Sequence, residues 1–149
     1  VSTRDKENLN SLMHYYVQAY QPYPDRETIM VQEYLKDVKE KGDVRILMLD
    51  GRVLGAMSRK ATDGGFRTNI HAGGKAFRHE ITEREQEICE RIGPRLKADG
   101  LYFVGLDIIG EKLIEINCVS PGGIPRINEL TGLRLESDVV DFIEEKAGE

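Results

Sequence analysis

Three side chains that carry hard oxygen donors stand close together in one short segment: Asp107, Glu115 and Asn117. They lie in a largely apolar stretch, residues 103–119, whose pattern predicts two short strands joined by a turn at Gly110-Glu111. Because side chains alternate between the two faces of a strand, Glu115 and Asn117 are expected to point the same way. Grouped carboxylate and amide oxygens are the ligands that Mg²⁺ prefers in proteins.

Whether Asp107 joins the other two oxygens depends on the register of this hairpin. A two-residue turn would place Asp107 opposite Ile114, whereas a three-residue turn would place it opposite Glu115. In the second register one face is apolar and the other carries all three oxygens, so the burial pattern favours it. Alternating polar residues are also typical of an ordinary hairpin with one face in solvent. The pattern alone therefore leaves both a metal site and a solvated hairpin open.

A second hairpin is predicted to carry two arginines. If its turn at Asp50-Gly51 has three residues, Arg45 faces Met57, and Asp43 and Arg59 lie on the same side. Arginine offers a planar fork of donors that suits phosphate or carboxylate oxygens. Two arginines exposed to solvent on a sheet surface fit the spacing equally well.

Two glycine-containing segments could bind anions through backbone N–H groups. Residues 59–74 contain four glycines, two arginines and an asparagine, and glycine lets the backbone approach a ligand closely. This segment matches neither the common phosphate-binding loop nor a dinucleotide fingerprint. The segment Ser120-Pro121-Gly122-Gly123, directly after Asn117, could present N–H groups to a substrate carboxylate or form a plain turn.

The remaining elements predict an α+β domain with a mainly antiparallel sheet and helices packed on one face. Helical periodicity covers residues 5–20, and a capping box at Thr82 and Glu85 begins a second helix. A last helix should begin near Glu136, with Val139, Val140 and Ile143 facing inward. A strand is expected over residues 29–35, a charged loop over 36–43, and a single domain over 1–149.

The composition narrows the class of protein. The chain has 149 residues and a formal net charge of -5, which argues against a nucleic-acid partner. No apolar run reaches the length of a membrane span. The two cysteines, Cys89 and Cys118, have no disulfide-framework or metal spacing, so we expect reduced thiols in a cytoplasmic protein.

The order of these motifs resembles the C-terminal part of the ATP-grasp region of bacterial glutathione synthetase. The resemblance runs from about residue 30 to the C-terminus. Its elements in this sequence are Gln32-Glu33-Tyr34-Leu35, Gly42-Asp43-Val44-Arg45, Arg59, Arg67-Thr68-Asn69, Gly73-Gly74, the stretch 103–110, Glu115-Ile116-Asn117 and Ser120-Pro121.

The resemblance implies a reaction and a set of roles. ATP would phosphorylate the carboxylate of γ-glutamylcysteine, and the amine of glycine would attack the acyl phosphate. Asp107, Glu115 and Asn117 would hold Mg²⁺, with Mn²⁺ as an alternative, and Arg45 and Arg59 would stabilise the phosphoryl group. The implied cofactor-binding residues are Gln32, Glu33, Tyr34 and Leu35 at the adenine and ribose, Asp43 beside the nucleotide, and Arg67, Asn69, Gly73 and Gly74 in a loop over the peptide.

The sequence also departs from the family. The N-terminal substrate domain and the first half of the ATP-grasp region, with its two lysines and glycine-rich loop, have no match here. We therefore expect an incomplete fragment that does not turn over alone, and a homo-oligomer only for a full-length enzyme. Two alternatives stay open: an ATP-grasp ligase that adds another amino acid to a peptide carboxylate, and a non-catalytic interaction module with the ligase fold.

Overall fold

A computed structural model describes residues 32–61 and 74–148 of the chain. The chain divides into two compact units, Val1–Tyr34 and Leu35–Glu149. The helix predicted over residues 5–20 and most of the glycine-rich loop lie outside the described residues, and the expectation of one domain over 1–149 stays a prediction. Within the described part, no helix is long and apolar enough to cross a membrane.

The described residues form five strands and four helices. In chain order they are α1 (Asp37–Lys41), β1 (Asp43–Leu49), β2 (Arg52–Lys60), β3 (Lys75–Arg78), α2 (Glu83–Ala98), β4 (Phe103–Ile109), β5 (Lys112–Asn117), α3 (Ile124–Thr131) and α4 (Leu135–Gly148). The strands pair in the order β3-β2-β1-β4-β5, and every pair is antiparallel. The predicted α+β class with an antiparallel sheet is confirmed.

The helices lie on both faces of the sheet rather than on one. On face A, which carries Ile46 and Leu106, α2 packs with Cys89 and Leu96. On face B, which carries Leu47 and Met57, α3 and α4 pack with Ile127 and Leu135. The central strands β1 and β4 are therefore buried on both sides, and their nearly unbroken apolar runs are typical of strands covered twice.

Both hairpins have the predicted register, but a β-bulge rather than a longer turn produces it. Each turn has two residues, because Leu49 pairs with Arg52 and Ile109 pairs with Lys112. A β-bulge then adds one residue, Leu54 in β2 and Ile114 in β5, and this shifts the pairing beyond it. The predicted three-residue turns are wrong. Asp50 and Gly51 have φ angles of 49° and 77°, the pattern of the tight turn that Asp-Gly favours.

Two local predictions differ from the structure near the start of the second unit. Residues 32–35 have no strand structure, and residues 37–41, expected in a charged loop, form α1. Burial of Val38 and an ion pair between Asp37 and Lys41, at 3.1 Å, support this single turn of helix. Short charged segments carry too little periodicity to reveal such a turn.

Helix α4 begins near the predicted residue but presents a different face. Val140 and Ile143 are 50% and 57% exposed, and only Val139 of the three predicted inward residues is half-buried. The helix packs instead through Leu135 and through Phe142, whose ring centroid lies 5.5 Å from that of Tyr102. The helix has apolar residues on two adjacent faces, so tertiary packing decided which of the two faces is buried.

Helix α2 begins at a capping box, as the sequence predicted, and it contains a buried thiol. The capping box is present: Glu85 N–H donates to Thr82 Oγ1 at 3.2 Å, and Thr82 N–H donates to Glu85 Oε2 at 2.8 Å. The helix continues through Pro94. Burial, with the negative charges of Glu85 and Glu90, raises the pKa of the Cys89 thiol from 9.0 to about 11.

The raised pKa of Cys89 predicts an alkaline loss of stability. Because the folded pKa exceeds the unfolded one, the stabilisation is complete below about pH 9 and is lost as the pH rises through about 11. We expect the free energy of unfolding to fall by on the order of 2 kcal/mol over that window. Urea titrations of Cys89→Ala should lack this fall, and those of Cys118→Ala, an exposed thiol, should keep it. The same alkaline fall in the Cys89 variant would contradict the assignment.

Candidate functional site

The polar residues singled out in the sequence meet on face B of the sheet. Strand register brings them together: Arg45 pairs with Asp107 across β1 and β4, and the bulge in β5 lets Asp107 pair with Glu115 across β4 and β5. Two residues earlier on β1, Asp43 pairs with Arg59. Paired residues project from the same face of a sheet, so these side chains share one surface.

Two arginines and two aspartates form a buried network on this surface. Arg45 binds Asp107 with both arms of its fork, from Nε to Oδ1 at 2.5 Å and from Nη2 to Oδ2 at 2.8 Å. Arg59 Nη2 forms an ion pair with the same Asp107 Oδ1 at 2.9 Å. Arg59 also donates from Nε to Asp43 Oδ1 at 3.1 Å and from Nη2 to Asp43 Oδ2.

The network is balanced in charge and shielded from water. Its four residues are 6–9% exposed. Burial by itself lowers the pKa of Arg59, but the hydrogen bond that Arg59 donates to Asp43 and the charges of Asp107 and Asp43 outweigh it, so the pKa is raised. Arg59 is therefore a permanent cation. Such networks cost desolvation energy and rarely add stability over apolar packing, so they indicate a requirement for positioned charge.

The two remaining oxygen donors, Asn117 and Glu115, differ in their hydrogen bonding beside Asp107. Asn117 Nδ2 lies 3.4 Å from both Asp107 Oδ2 and the Gly105 carbonyl oxygen. Glu115 is exposed and has no hydrogen bond or ion pair with any residue that the structure describes. One amide that can rotate and one free carboxylate thus stand beside the buried carboxylate of Asp107.

These three side chains fit a divalent cation by donor type and by position. All are hard oxygen donors on one face, and the set of two carboxylates and an amide suits Mg²⁺. Binding requires the Asn117 amide to turn its oxygen inward, in place of the nitrogen that now faces Asp107. Among residues 32–61 and 74–148, no group of three or more His, Cys, Asp or Glu side chains could hold a metal. The proposed set differs from such groups because it includes an amide.

The loop after Asn117 contacts the network through a carbonyl group. Arg45 Nη1 donates to the Gly122 carbonyl oxygen at 3.2 Å. A Cβ atom on Gly105 would lie 3.0 Å from Arg45 Nη1 and 3.2 Å from Pro121 Cβ, so Gly105 makes room for both. The sequence had suggested only N–H groups in this loop, and it missed Gly105, although a glycine two residues before Asp107 shares its face.

The structure brings together six of the predicted site residues: Asp43, Arg45, Arg59, Asp107, Glu115 and Asn117. Gln32, Glu33 and Tyr34 are exposed, lack regular structure and belong to the first unit. Leu35 lines a cleft beside α1 rather than the charged network. Gly74 directly precedes β3, and Arg67, Asn69 and Gly73 lie outside the described residues.

The fold and the site define a class. The structure is similar to that of D-alanine–D-alanine ligase from Bacillus anthracis complexed with ATP, with a TM-score of 0.53 and 14% sequence identity. The match covers 92% of this chain and 46% of that one. The likeness concerns the fold, which is that of the ATP-grasp proteins.

The sequence matches identify the family. The family model described as "Prokaryotic glutathione synthetase, ATP-grasp domain" matches residues 1–132. The glutathione synthetase of Agrobacterium fabrum is 45% identical over 145 residues, which are 97% of this chain and 44% of that protein. That of Gloeobacter violaceus is 44% identical over 142 residues, 95% of this chain and 42% of that protein. The chain belongs to the prokaryotic glutathione synthetase ATP-grasp family, as the motifs indicated, and it spans less than half the length of these relatives.

Proposed function

We propose that this chain supplies the metal-binding and phosphate-binding part of an ATP-dependent carboxylate–amine ligase of the glutathione synthetase type. The reaction would join γ-glutamylcysteine to glycine through an acyl phosphate. The observation that carries the proposal is the placement of Asp107, Glu115 and Asn117 on one face, directly beside two buried arginines. Family membership and a fold shared with a ligase complexed with ATP support it.

In this proposal Asp107, Glu115 and Asn117 hold a divalent cation, Mg²⁺ or alternatively Mn²⁺. When bound, the cation would neutralise charge on the nucleotide phosphates. The chain's part is to keep three oxygens on one rigid surface. The register between β4 and β5 does this, because the bulge at Ile114 places Glu115 opposite Asp107.

Arg45 and Arg59 would bind the transferring phosphoryl group. Carboxylates already orient the guanidinium groups of both arginines. A phosphate oxygen can replace a carboxylate oxygen in the same planar geometry. Arg59 keeps Asp43 as a partner when it turns one donor away from Asp107. Oriented charges in a site shielded from water stabilise developing negative charge without further reorganisation. No general base or covalent nucleophile is needed.

The other predicted residues keep their proposed roles. Gln32, Glu33, Tyr34 and Leu35 would line the adenine and ribose pocket, with Asp43 near the nucleotide. Arg67, Asn69, Gly73 and Gly74 would form the loop over the peptide substrate. A cytoplasmic location, and oligomers of a longer enzyme, belong to the same proposal.

Replacing Glu115 with glutamine should separate metal binding from folding. We expect calorimetry to show nucleotide binding that depends on Mg²⁺, with an affinity about tenfold lower in Glu115→Gln. Its thermal stability should be unchanged, because Glu115 is exposed and has no partner among the described residues. The matched control is Glu111→Gln, an exposed residue of the nearby turn with the same change in charge.

Two outcomes would count against the proposal. Equal affinities in the two glutamine variants would remove Glu115 from the metal site. Nucleotide binding that is as tight in EDTA as in Mg²⁺, or absent in both, would contradict a metal-dependent phosphate site on this chain.

A further inference from the structure

A second concave surface lies on face A, on the opposite side of the sheet from the charged network. It is a cleft of about 830 Å³ between α1, the turn joining β4 and β5, and the first residues of α2. This volume is in the range of small-molecule sites. Of its lining residues only Leu35 has a role in the proposed ligase chemistry, at the adenine and ribose.

The cleft exists because the helices packed on face A do not cover all of it. Helix α2 covers the sheet over Ile46 and Leu106, but only its first turn reaches the next row, formed by Ser58, Val44 and Ile108. The five residues of α1 are too few to close the remaining gap. The floor is thus formed by the half-buried side chains of Val44 and Ser58, and Ile108 beside them is fully buried.

The polar groups of the cleft are partly unpaired. Within the described residues, the Ser58 hydroxyl has no hydrogen bond, and Lys36, Lys60 and Lys112 have no ion pair. The lining residues comprise five lysines and arginines against four aspartates and glutamates, in a chain whose net charge is -5. The cleft is therefore less acidic than the protein as a whole.

A like-charge pair, of which Lys60 lines the cleft and Lys75 lies beyond it on the neighbouring strand, points independently to an anion. Lys60 pairs directly with Lys75 across β2 and β3, and both project from face A, two positions beyond Ser58. Like charges directly opposite each other in a sheet are destabilising. Neither ammonium has an acidic partner among the residues described, so an anion between them would remove the repulsion.

We propose that this cleft binds a small anion with an apolar body. Its phosphate, sulfate or carboxylate group would lie at Lys60, on the side toward Lys75, and its apolar part would cover the half-buried Val44. Val44 and Ile108 directly adjoin Arg45 and Asp107 in the chain, and only the thickness of the sheet separates the two sites. The inference is independent of the proposed ligase function.

The test uses 1-naphthyl phosphate as the probe and calorimetry on the whole chain. Lys60→Glu should weaken binding about tenfold, because the new carboxylate repels the phosphate. Lys60→Arg should bind as the parent does. Arg91→Glu, an exposed residue of α2 outside the cleft, is the control for general charge and should leave the affinity unchanged.

Thermal unfolding of the same variants distinguishes binding from folding. Lys60→Glu should raise the Tm, because a glutamate opposite Lys75 replaces repulsion by attraction. Weaker binding in a more stable variant cannot come from misfolding. Inorganic phosphate and 1-naphthol should each bind more weakly than 1-naphthyl phosphate, since each offers only half of the contact.

Three results would overturn this proposal. Arg91→Glu could weaken binding as much as Lys60→Glu, which would show unspecific attraction. 1-Naphthol could bind as tightly as its phosphate ester, which would remove the anion subsite. Mg²⁺-ATP could displace the probe competitively, which would make the cleft part of the nucleotide site. A loss of Mg²⁺-ATP binding alone would leave this site intact and count only against the proposed function.

Discussion

Replacing Asp107 with asparagine is expected to lower the free energy of unfolding by about 3–5 kcal/mol. Asp107 accepts two hydrogen bonds from Arg45 and forms an ion pair with Arg59, and all three residues are buried. Without its charge, Arg45 has no anionic partner among the described residues, and Arg59 keeps only Asp43. Urea unfolding at neutral pH measures the loss. The control is Glu115→Gln, which removes the same charge from an exposed neighbour and should change stability by less than about 0.5 kcal/mol.

A double variant tests whether charge balance is the reason for the loss. Arg45→Met combined with Asp107→Leu removes one cation and one anion, and it leaves Asp43 and Arg59 paired. Because Met57 and the apolar cluster of face B adjoin the site, the new side chains have apolar neighbours. We expect the double variant to recover at least half of the stability lost in Asp107→Asn, as balanced replacements of buried ion pairs do. A loss in Asp107→Asn no larger than that in Glu115→Gln would refute this account.

Replacing Gly42 with alanine should be of similar severity, on the order of 3 kcal/mol. Gly42 has a φ of +76°, and an added Cβ atom would overlap the Arg59 carbonyl oxygen, which belongs to the backbone and cannot rotate away. Any shift that relieves the overlap moves Asp43 and Arg59 apart, so the network should weaken with the fold. Chemical unfolding and Mg²⁺-dependent nucleotide binding together measure both effects.

The matched control for Gly42 is Gly132→Ala. Gly132 ends α3 with a φ of +77°, and an added Cβ atom would meet nothing within 4 Å. This variant isolates the cost of the backbone conformation, about 1–2 kcal/mol. If the two variants lost equal stability, the contact with Arg59 would carry no cost, and the close packing of α1 against β2 would be of no consequence for the site.

The two hairpins show how far local patterns predict this site. Alternation along β5 indicated that Glu115 and Asn117 share a face, and the structure agrees. The pairing of Asp107 with Glu115 was also correct, but the cause was a bulge rather than a longer turn. A bulge leaves no mark in a single strand, because it depends on which residues the two sheet faces bury.

The residue patterns and the family resemblance gave different information about the site. The patterns identified oxygen donors and arginines without separating a metal site from a solvated surface. The resemblance assigned roles, and the family is now established by the match over residues 1–132. The roles themselves stay predictions, as does the lack of turnover by this chain alone, because the chain spans less than half the length of its relatives.

By itself the sequence determined the properties that arise within a few residues: the Asp50-Gly51 turn, the capping box of α2, and the faces of neighbouring side chains on one strand. Tertiary structure alone decided which distant groups meet. It paired Arg45 with Asp107, 62 residues away, turned the Gly122 carbonyl toward Arg45, covered both faces of the sheet, and left a cleft beyond α2. The physical reason is that alternation and capping are local backbone effects, whereas register and burial depend on contacts across the whole fold.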